Sequence, residues 1–299
     1  MTDRVSGRSI ALVCTLSLLW GASFALIKIA VETIPPLTVA AIRGLLGGIL
    51  LAALMGRDLP SLWKSGVPLR SFWVQAILNC VIPWTFVAWA SRSIDSSLAT
   101  VLNSLSPIFA FLLTWGVTRH EAVTARKFVG VLLGLAGVLV IVGIDALTGL
   151  GQHTVAELAC VAGSLSYGAA AVVGSRFRTL SPLVPSAGAT LLSAVLLIPL
   201  ALVFEHPWTM QPSLASILAV AGLVVFSTGV AFVIYFKLIS TVGSIGTTAQ
   251  AYLRILVGIG IGVSFLGEKL SASLAIGAAL VVLGVVAMTM PARKRTPAS

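Results

Sequence analysis

The sequence consists largely of ten apolar runs, each long enough to cross a membrane, and almost all of its charged residues lie between them. About 20 apolar residues in a helix span the hydrocarbon core of a bilayer. Only 9% of the residues are charged, against about 25% in a soluble domain. The mean hydropathy of +1.07 leaves too few polar side chains to cover the apolar ones. We therefore expect an all-α integral membrane protein with ten spans: Ile10–Ala30, Leu37–Met55, Phe72–Ser91, Ser96–Val117, Val123–Ile144, Val155–Ser175, Val184–Phe204, Leu214–Lys237, Ile245–Leu266 and Ala272–Met290.

The basic residues between the spans indicate how the chain is oriented. If the N-terminus is cytoplasmic, 14 of the 19 Lys and Arg residues lie in cytoplasmic segments and three in outer ones. Arg43 and Arg254 remain within spans. Cytoplasmic loops of membrane proteins are enriched in Lys and Arg. The bias predicts a multi-pass protein of the inner (plasma) membrane with both termini in the cytoplasm. It also accounts for the net charge of +10 without a nucleic-acid partner.

The second half of the sequence repeats the first at an offset of 147 residues. Ser96–Val138 aligns with Gly243–Val285 without a gap, and the same offset pairs Trp20 with Tyr167. Each half holds five spans, an odd number, so the second half enters the membrane from the opposite side. Such inverted repeats build the substrate pathway of many transporters. We predict two inverted five-helix repeats, residues 1–147 and 148–299, around a central substrate cavity.

Two acidic residues of the repeat, Glu121 and Glu268, occupy equivalent positions in it. Each precedes a hydroxyl residue by three positions, Thr124 or Ser271, which can cap the helix that follows. We interpret both acids as parts of the loop and of the helix start rather than as functional groups.

Several motifs connect the sequence with a known family. They are WGAS at 20–23, Asn103 with Ser106-Pro107 in the fourth span, and GEKL at 267–270 before a span containing Gly277 and Gly284. With the duplicated ten-span layout, the chain resembles the EamA branch of the drug/metabolite transporter superfamily over nearly its whole length. The first half departs from the glycine-glutamate pattern, because His120 stands where the second half has Gly267.

The resemblance implies the export of metabolites, commonly amino acids, through a cavity between the two halves. It also implies that helices 1, 3, 4, 6, 8 and 9 line this pathway and that helices 5 and 10 are peripheral.

Every acidic residue and every histidine falls in a connection or at the end of a span. A proton-coupled pump of cations usually has a carboxylate within the membrane, and an enzyme needs a nucleophile and a base at one depth. The sequence has neither pattern and no metal-ligand spacing. We therefore predict no catalytic site, cofactor or metal, and facilitated diffusion fits at least as well as proton antiport.

The two arginines within the spans need polar or charged partners, because inserting an arginine at the bilayer centre costs a free energy of roughly 2.5–3.5 kcal/mol. Arg254 is near mid-depth and can bind a substrate carboxylate or bond to facing carbonyl groups. Arg43 is nearer the outer side, where it can extend to the membrane surface or pair with an outer acid such as Glu32.

Polar and aromatic side chains of five spans converge at one depth, which predicts a cavity with amide groups for a zwitterion and aromatic walls for an apolar side chain. The candidate substrate-binding residues are Trp20, Asn79, Trp84, Asn103, Ser106, Tyr167, Gln250, Tyr252 and Arg254. The candidate kink or gating residues are Pro83, Pro107 and Gly258, because proline frees backbone carbonyls and glycine weakens a helix.

We thus expect a secondary transporter that exports small metabolites, amino acids with apolar or aromatic side chains foremost. Two alternatives stay open at this point. A carrier of phosphorylated sugars or nucleotide sugars would need more fixed positive charge than one or two arginines. A membrane-embedded lipid-modifying enzyme would need paired His, Asp or Glu residues at one depth. One chain with both repeats can form a whole pathway, so a monomer suffices.

Overall fold

The computed structural model describes residues 7–62, 64–118, 125–142, 153–248 and 250–289, and ten helices account for most of them. The sequence prediction of an all-helical, ten-helix fold is confirmed. The helices are α1 (Gly7–Ala30), α2 (Pro36–Met55), α3 (Leu69–Ala76 and Ile82–Ala90), α4 (Ser96–Asn103 and Ser106–Leu113), α5 (Ala125–Val142), α6 (Thr154–Gly174), α7 (Leu183–Phe204), α8 (Leu214–Gly222 and Ala231–Thr248), α9 (Gln250–Phe265) and α10 (Ala272–Thr289).

Seven of these helices are long and apolar enough to cross a membrane: α1, α2, α3, α4, α6, α7 and α8. The apolar stretches found in α5, α9 and α10 are shorter, Phe128–Gly137, Leu253–Phe265 and Ala272–Gly284. The chain is therefore a multi-pass membrane protein. We call the face at which α1 begins the terminal face and the other face the distal face.

The connection between α8 and α9 differs from the prediction. The helical segment that ends α8 runs to Thr248, and α9 begins at Gln250 rather than at Ile245. The polar residues after Lys237 do not end the helix, because the hydroxyls of Ser240 and Thr241 donate to the Lys237 carbonyl at 2.9 and 2.8 Å. Their hydrogen bonds are thus satisfied within the helix.

The helix contacts show a pseudo-twofold relation between the repeats. α1 packs on α9 as α6 packs on α4, and α1 packs on α8 as α6 packs on α3. The two remaining pairs, α2 with α7 and α5 with α10, each join equivalent helices. Exchanging each helix with its repeat mate therefore leaves these pairings unchanged.

Glycines of the repeat permit two of these equivalent close approaches. A methyl group at Gly21 would lie 2.7 Å from the Val257 side chain of α9. At the repeat mate, Gly168, it would lie 2.8 Å from the Ala110 nitrogen of α4. Val257 and Ala110 are themselves repeat mates, so the same small-residue contact occurs once in each direction.

Three helices are interrupted near their middle. α3 contains a wider π-helical segment at Ile77–Val81, and α8 contains one at the equivalent positions of the repeat, Leu223–Val230. α4 is broken at Ser104 and Leu105, just before Pro107. Such interruptions leave backbone groups that need partners other than the next helical turn, and they are frequent at functional sites.

At the distal face, polar bonds join the two repeats. Each bond links a residue of the first repeat to a residue of the second. They connect Thr33 Oγ1 to Ser216 Oγ at 2.8 Å, the Thr38 nitrogen to Glu205 Oε2 at 2.7 Å, and the Ser96 nitrogen to Glu268 Oε1 at 2.7 Å. An apolar cluster from α1, α2, α3, α4, α6 and α8 lies beneath them. The distal face is therefore closed in this structure.

Ser271 caps α10 as predicted, because its Oγ accepts a hydrogen bond from the Leu274 nitrogen at 3.1 Å. Glu268 differs from the prediction, since its carboxylate bonds to the start of α4 rather than acting within its own loop. Glu121 and Thr124, their mates in the first repeat, lie outside the described residues.

Candidate substrate cavity

A cavity lies between the repeats at the depth of the helix interruptions. Its volume open to water is about 70 Å³, whereas one water molecule needs roughly 10–15 Å³. The side chains around it come from α1, α3, α4, α6, α8 and α9, the six helices implied by the resemblance, together with one residue of α2. These residues are Trp20, Ser23, Phe24, Ile27, Arg43, Asn79, Trp84, Val87, Asn103, Ser106, Pro107, Tyr167, Ala171, Phe232, Tyr235, Ile239, Thr247, Gln250 and Arg254.

Eight of the nine candidate substrate-binding residues line this cavity, and the side chain of the ninth, Tyr252, lies outside the described residues. Of the candidate kink residues, Pro107 lines the cavity, whereas Pro83 and Gly258 are absent from its described lining. Pro83 faces Gly163 of α6, and Gly258 packs closely against Thr100 of α4. α9 continues without interruption through Gly258.

Arg254 is held against the break in α4. Its side chain is 4% exposed, and its Nη2 donates to the Asn103 carbonyl at 3.0 Å and to Ser104 Oγ at 3.2 Å. The Asn103 carbonyl is available because Pro107, four residues later, has no N–H to offer it. The same carbonyl accepts a bond from Ser164 Oγ of α6 at 3.2 Å. The proline thus creates the acceptor that positions the arginine.

Arg43 occupies a different place from the one its sequence position suggests. We expected it to extend outward or to pair with Glu32, but it is only 5% exposed and points into the cavity. Its Nε donates to Thr228 Oγ1 at 3.2 Å, in the π-helical segment of α8, and its guanidinium lies 4.2 Å from the centre of the Trp84 ring. Stacking on an aromatic face stabilises a guanidinium away from water. The presence of an arginine within a span was the signal that identified it.

An aromatic wall forms one side of the cavity. The Trp20 ring lies 5.3 Å from Tyr235 and 6.3 Å from Phe232, and Trp84 lies 5.9 Å from Phe232, between ring centres. Trp20 Nε1 donates to the Ser227 carbonyl of α8 at 3.1 Å, which fixes the indole in place. Phe232 and Tyr235 were not among the predicted residues, because an aromatic residue in an apolar run carries no sign of which side of the helix faces the cavity.

Several buried polar atoms around the cavity have no hydrogen-bond partner among the described residues. They are Asn79 Nδ2, Asn103 Oδ1 and Nδ2, Gln250 Oε1 and Arg254 Nε. An unpaired buried polar group costs about 1–3 kcal/mol. Their convergence on one space indicates that water or a polar substrate completes their hydrogen bonds.

The charged side chains described around the cavity are all positive. Arg43 and Arg254 line it, and no Asp or Glu is among its described lining residues. The residues described by the structure also contain no cluster of three or more His, Cys, Asp or Glu that could hold a metal. The arrangement can attract an anionic group, hydrogen-bond through amides and arginine, and enclose an apolar or aromatic body.

Two inverted five-helix repeats around a cavity of this kind define a membrane transporter of small molecules. The chain belongs to the EamA-like transporter family, whose sequence profile matches it twice, at residues 7–143 and 154–290. The two matches correspond to the two repeats. The alternative of a membrane-embedded enzyme is thereby wrong, because this is a family of transporters.

Relatives match the chain over nearly its whole length. The chain is 30% identical over 281 residues to the uncharacterized inner membrane transporter YedA of Escherichia coli, which covers 92% of this chain and 88% of that protein. It is 24% identical to the uncharacterized transporter YoaV of Bacillus subtilis, over 95% and 97% of the two chains. A solved crystal structure with 24% identity has the same fold, with a TM-score of 0.70 over 94% of this chain and 96% of that one.

Proposed function

We propose that the protein exports small carboxylate-bearing metabolites, amino acids with apolar or aromatic side chains foremost, by alternating access of the central cavity. The observation that carries this proposal is Arg254. It is buried at mid-depth, is positioned by the break in α4, and has an Nε without a partner among the described residues. A charge-assisted bond to a carboxylate satisfies such a group better than a neutral partner does.

The rest of the cavity suits the remainder of such a substrate. Asn103 Oδ1 and Gln250 Oε1 are unpaired acceptors that can bond to an ammonium group. The aromatic wall of Trp20, Phe232 and Tyr235 can enclose an apolar side chain. The candidate substrate-binding residues of the sequence thus receive distinct roles in this proposal: Arg254 binds the carboxylate, the amides bind the amine, and the rings enclose the side chain.

The proposed location is the inner membrane, with both termini in the cytoplasm. The location is supported by the name of the Escherichia coli relative and the orientation by the excess of Lys and Arg on the terminal face. In that orientation the distal face is the outer one. Each chain has both repeats and a complete cavity, so a monomer suffices for transport.

No Asp or Glu is among the described cavity residues. This favours facilitated diffusion over a proton antiport that would load a carboxylate at the centre of the membrane.

The test is efflux of radiolabelled phenylalanine from proteoliposomes that contain the purified protein, with and without a pH gradient. Removing a bond between charged groups costs about 1.5–3 kcal/mol, or roughly 10- to 100-fold. We therefore expect wild-type efflux to exceed that from empty vesicles, to ignore the pH gradient, and to fall at least tenfold in Arg254→Ala.

Arg92→Ala is the matched control, because Arg92 is exposed at the distal face. Equal efflux from wild type and Arg254→Ala would make this arginine structural. Wild-type efflux no faster than that from empty vesicles, for phenylalanine and for other carboxylates alike, would contradict the proposed function itself.

A further inference from the structure

We infer that the cavity selects net anions, with Arg43 as a second carboxylate-binding residue, so that carboxylates without a free ammonium group are transported in preference to zwitterionic amino acids. This inference rests on the proposed transport of carboxylate-bearing metabolites through this cavity, and within that class it places anions ahead of the zwitterionic amino acids named above.

Arg43 has donors to spare. The one hydrogen bond that the described residues give it is from Nε to Thr228 Oγ1, and a guanidinium carries five N–H donors. The bond to Thr228 and the stacking on Trp84 at 4.2 Å fix the plane of the group. A planar guanidinium held in this way presents its remaining donors in a fork that matches a carboxylate.

The two arginines act on one space. Arg43 and Arg254 come from α2 and α9, and both line this single cavity together with Tyr167 of α6. A molecule bound in this cavity is therefore within the field of both charges. In a site shielded from water, this field is screened far less than at a surface.

The charge of the substrate decides how well it neutralises this field. A zwitterion adds no net charge, so two positive charges remain in the membrane interior. A carboxylate anion reduces the net positive charge of the occupied site to one, and a dicarboxylate reduces it to zero. Because uncompensated charge is costly at this depth, the anion is the favoured occupant.

An ammonium group would also find few partners of its own. The faces of Trp84 and Phe24 already lie within 4.2 and 5.8 Å of the guanidinium groups of Arg43 and Arg254. The remaining partners are neutral amide oxygens such as Asn103 Oδ1. A cation placed there lies near two like charges and near no described carboxylate. The aromatic wall, in contrast, fits the apolar part of either compound equally.

The experiment compares three compounds with the same phenyl ring in proteoliposomes: phenylalanine, phenylpyruvate and N-acetylphenylalanine. The full-length protein is used as wild type, Arg43→Gln, Arg43→Lys and Arg92→Gln, and rates from empty vesicles are subtracted.

We expect wild-type initial rates, at equal concentrations below saturation, to be at least tenfold higher for each of the two anions than for phenylalanine. Arg43→Gln should lower the anion rates at least tenfold and the phenylalanine rate less than threefold. Arg43→Lys should keep part of the preference, and Arg92→Gln all of it.

The outcomes separate this inference from the proposed function. Phenylalanine efflux as fast as that of the anions, or a preference unchanged in Arg43→Gln, would overturn the inference while the proposed function stands. Failure of wild type to move any of the three compounds would overturn both. If Arg43→Gln does not purify as a monodisperse protein, two results test the inference instead: the wild-type ratio of anion to phenylalanine rates, and the same ratio in Arg43→Lys. The lysine variant is informative because lysine keeps the charge but loses the planar fork.

Discussion

At the scale of single residues, the position of Arg254 depends on the side chain of Ser104. Ser104 Oγ accepts from Arg254 at 3.2 Å and donates to the Thr100 carbonyl at 2.7 Å. The Ser104→Ala variant removes this support and leaves the arginine charge in place. Because a hydrogen bond contributes about 0.5–1.5 kcal/mol, we expect the KM for the transported carboxylate to rise roughly 2- to 10-fold, measured as concentration-dependent efflux from proteoliposomes.

Ser91→Ala is the matched control for this prediction. Ser91 is equally buried and donates to the carbonyl four residues earlier, Val87, at 2.8 Å, but it has no bond to an arginine among the described residues. An unchanged KM in Ser104→Ala, or the same rise in Ser91→Ala, would show that the hydroxyl does not position Arg254.

The cavity residues show which features of a site a sequence makes visible. The depth of a residue in its span can be counted, so Trp20, Asn103 and Arg254 were predicted at one level and line one cavity. The direction in which a side chain points around its helix cannot be counted in a uniformly apolar span. Arg43 was therefore expected to reach outward, and Tyr235 was missed.

At the scale of helices, Glu268 connects α9 to the start of α4. It accepts hydrogen bonds from the Ser96 and Ser97 nitrogens at 2.7 and 3.0 Å, and one from Ser97 Oγ. Partial burial alone would raise the pKa of the Glu268 carboxyl, but these bonds outweigh it and hold the pKa below its usual range. A carboxylate at a helix N-terminus is also stabilised by the helix dipole.

The lowered pKa of Glu268 predicts a pH-dependent contribution to stability. The folded state holds the ionised form, so the stabilisation is complete above the ordinary glutamate pKa of 4.5 and is lost as the pH falls through the lower folded value. We expect Glu268→Gln to have a lower Tm than wild type at pH 7, by roughly 2–4 °C per kcal/mol lost, and this difference to shrink in acid. Thermal unfolding followed by tryptophan fluorescence from pH 8 to 3.5 measures both.

Glu32→Gln serves as the control for Glu268, because Glu32 is an exposed glutamate at the same face. A Tm difference between wild type and Glu268→Gln that stays the same at pH 3.5 as at pH 7 would contradict the role of the ionised carboxylate.

The helix interruptions mark the limit of prediction at this scale. The break in α4 lies just before Pro107, which the sequence analysis predicted as a kink residue. The π-helical segments Ile77–Val81 and Leu223–Val230 have no proline within them, although they place Asn79 at the cavity and Thr228 against Arg43. Pro83, a predicted kink residue, lies two residues after the first segment, whereas Leu223–Val230 has no proline beside it, so only the interruption in α3 had a signal in the sequence.

At the scale of the whole molecule, the inverted repeat was the most predictable feature. It follows from an offset of 147 residues and an odd number of spans per half, and the exchange of α1–α9 with α6–α4 confirms it. The cavity chemistry is not repeated in the same way. Trp20 and Tyr167 are mates, as are Asn103 and Gln250, but Arg43 is matched by Thr190 and Arg254 by Pro107. The fold is thus twofold, whereas the two arginines that line the cavity, one from each half, occupy positions that are not equivalent in the repeat.

Alternating access requires the distal face to open between the repeats, and the bond from Thr33 to Ser216 crosses that boundary. Their Oγ atoms are 2.8 Å apart, which brings the two Cβ atoms near the roughly 3.5–4.5 Å that a disulfide spans. In a Cys14→Ser background, which removes the exposed native thiol, we expect oxidised Thr33→Cys/Ser216→Cys to lose at least nine-tenths of its efflux and to recover it on reduction with dithiothreitol. Each single cysteine variant should transport equally under both conditions. Full efflux from the cross-linked double variant, with the disulfide verified by mass spectrometry, would show that the substrate leaves by a route that does not separate the repeats at this face.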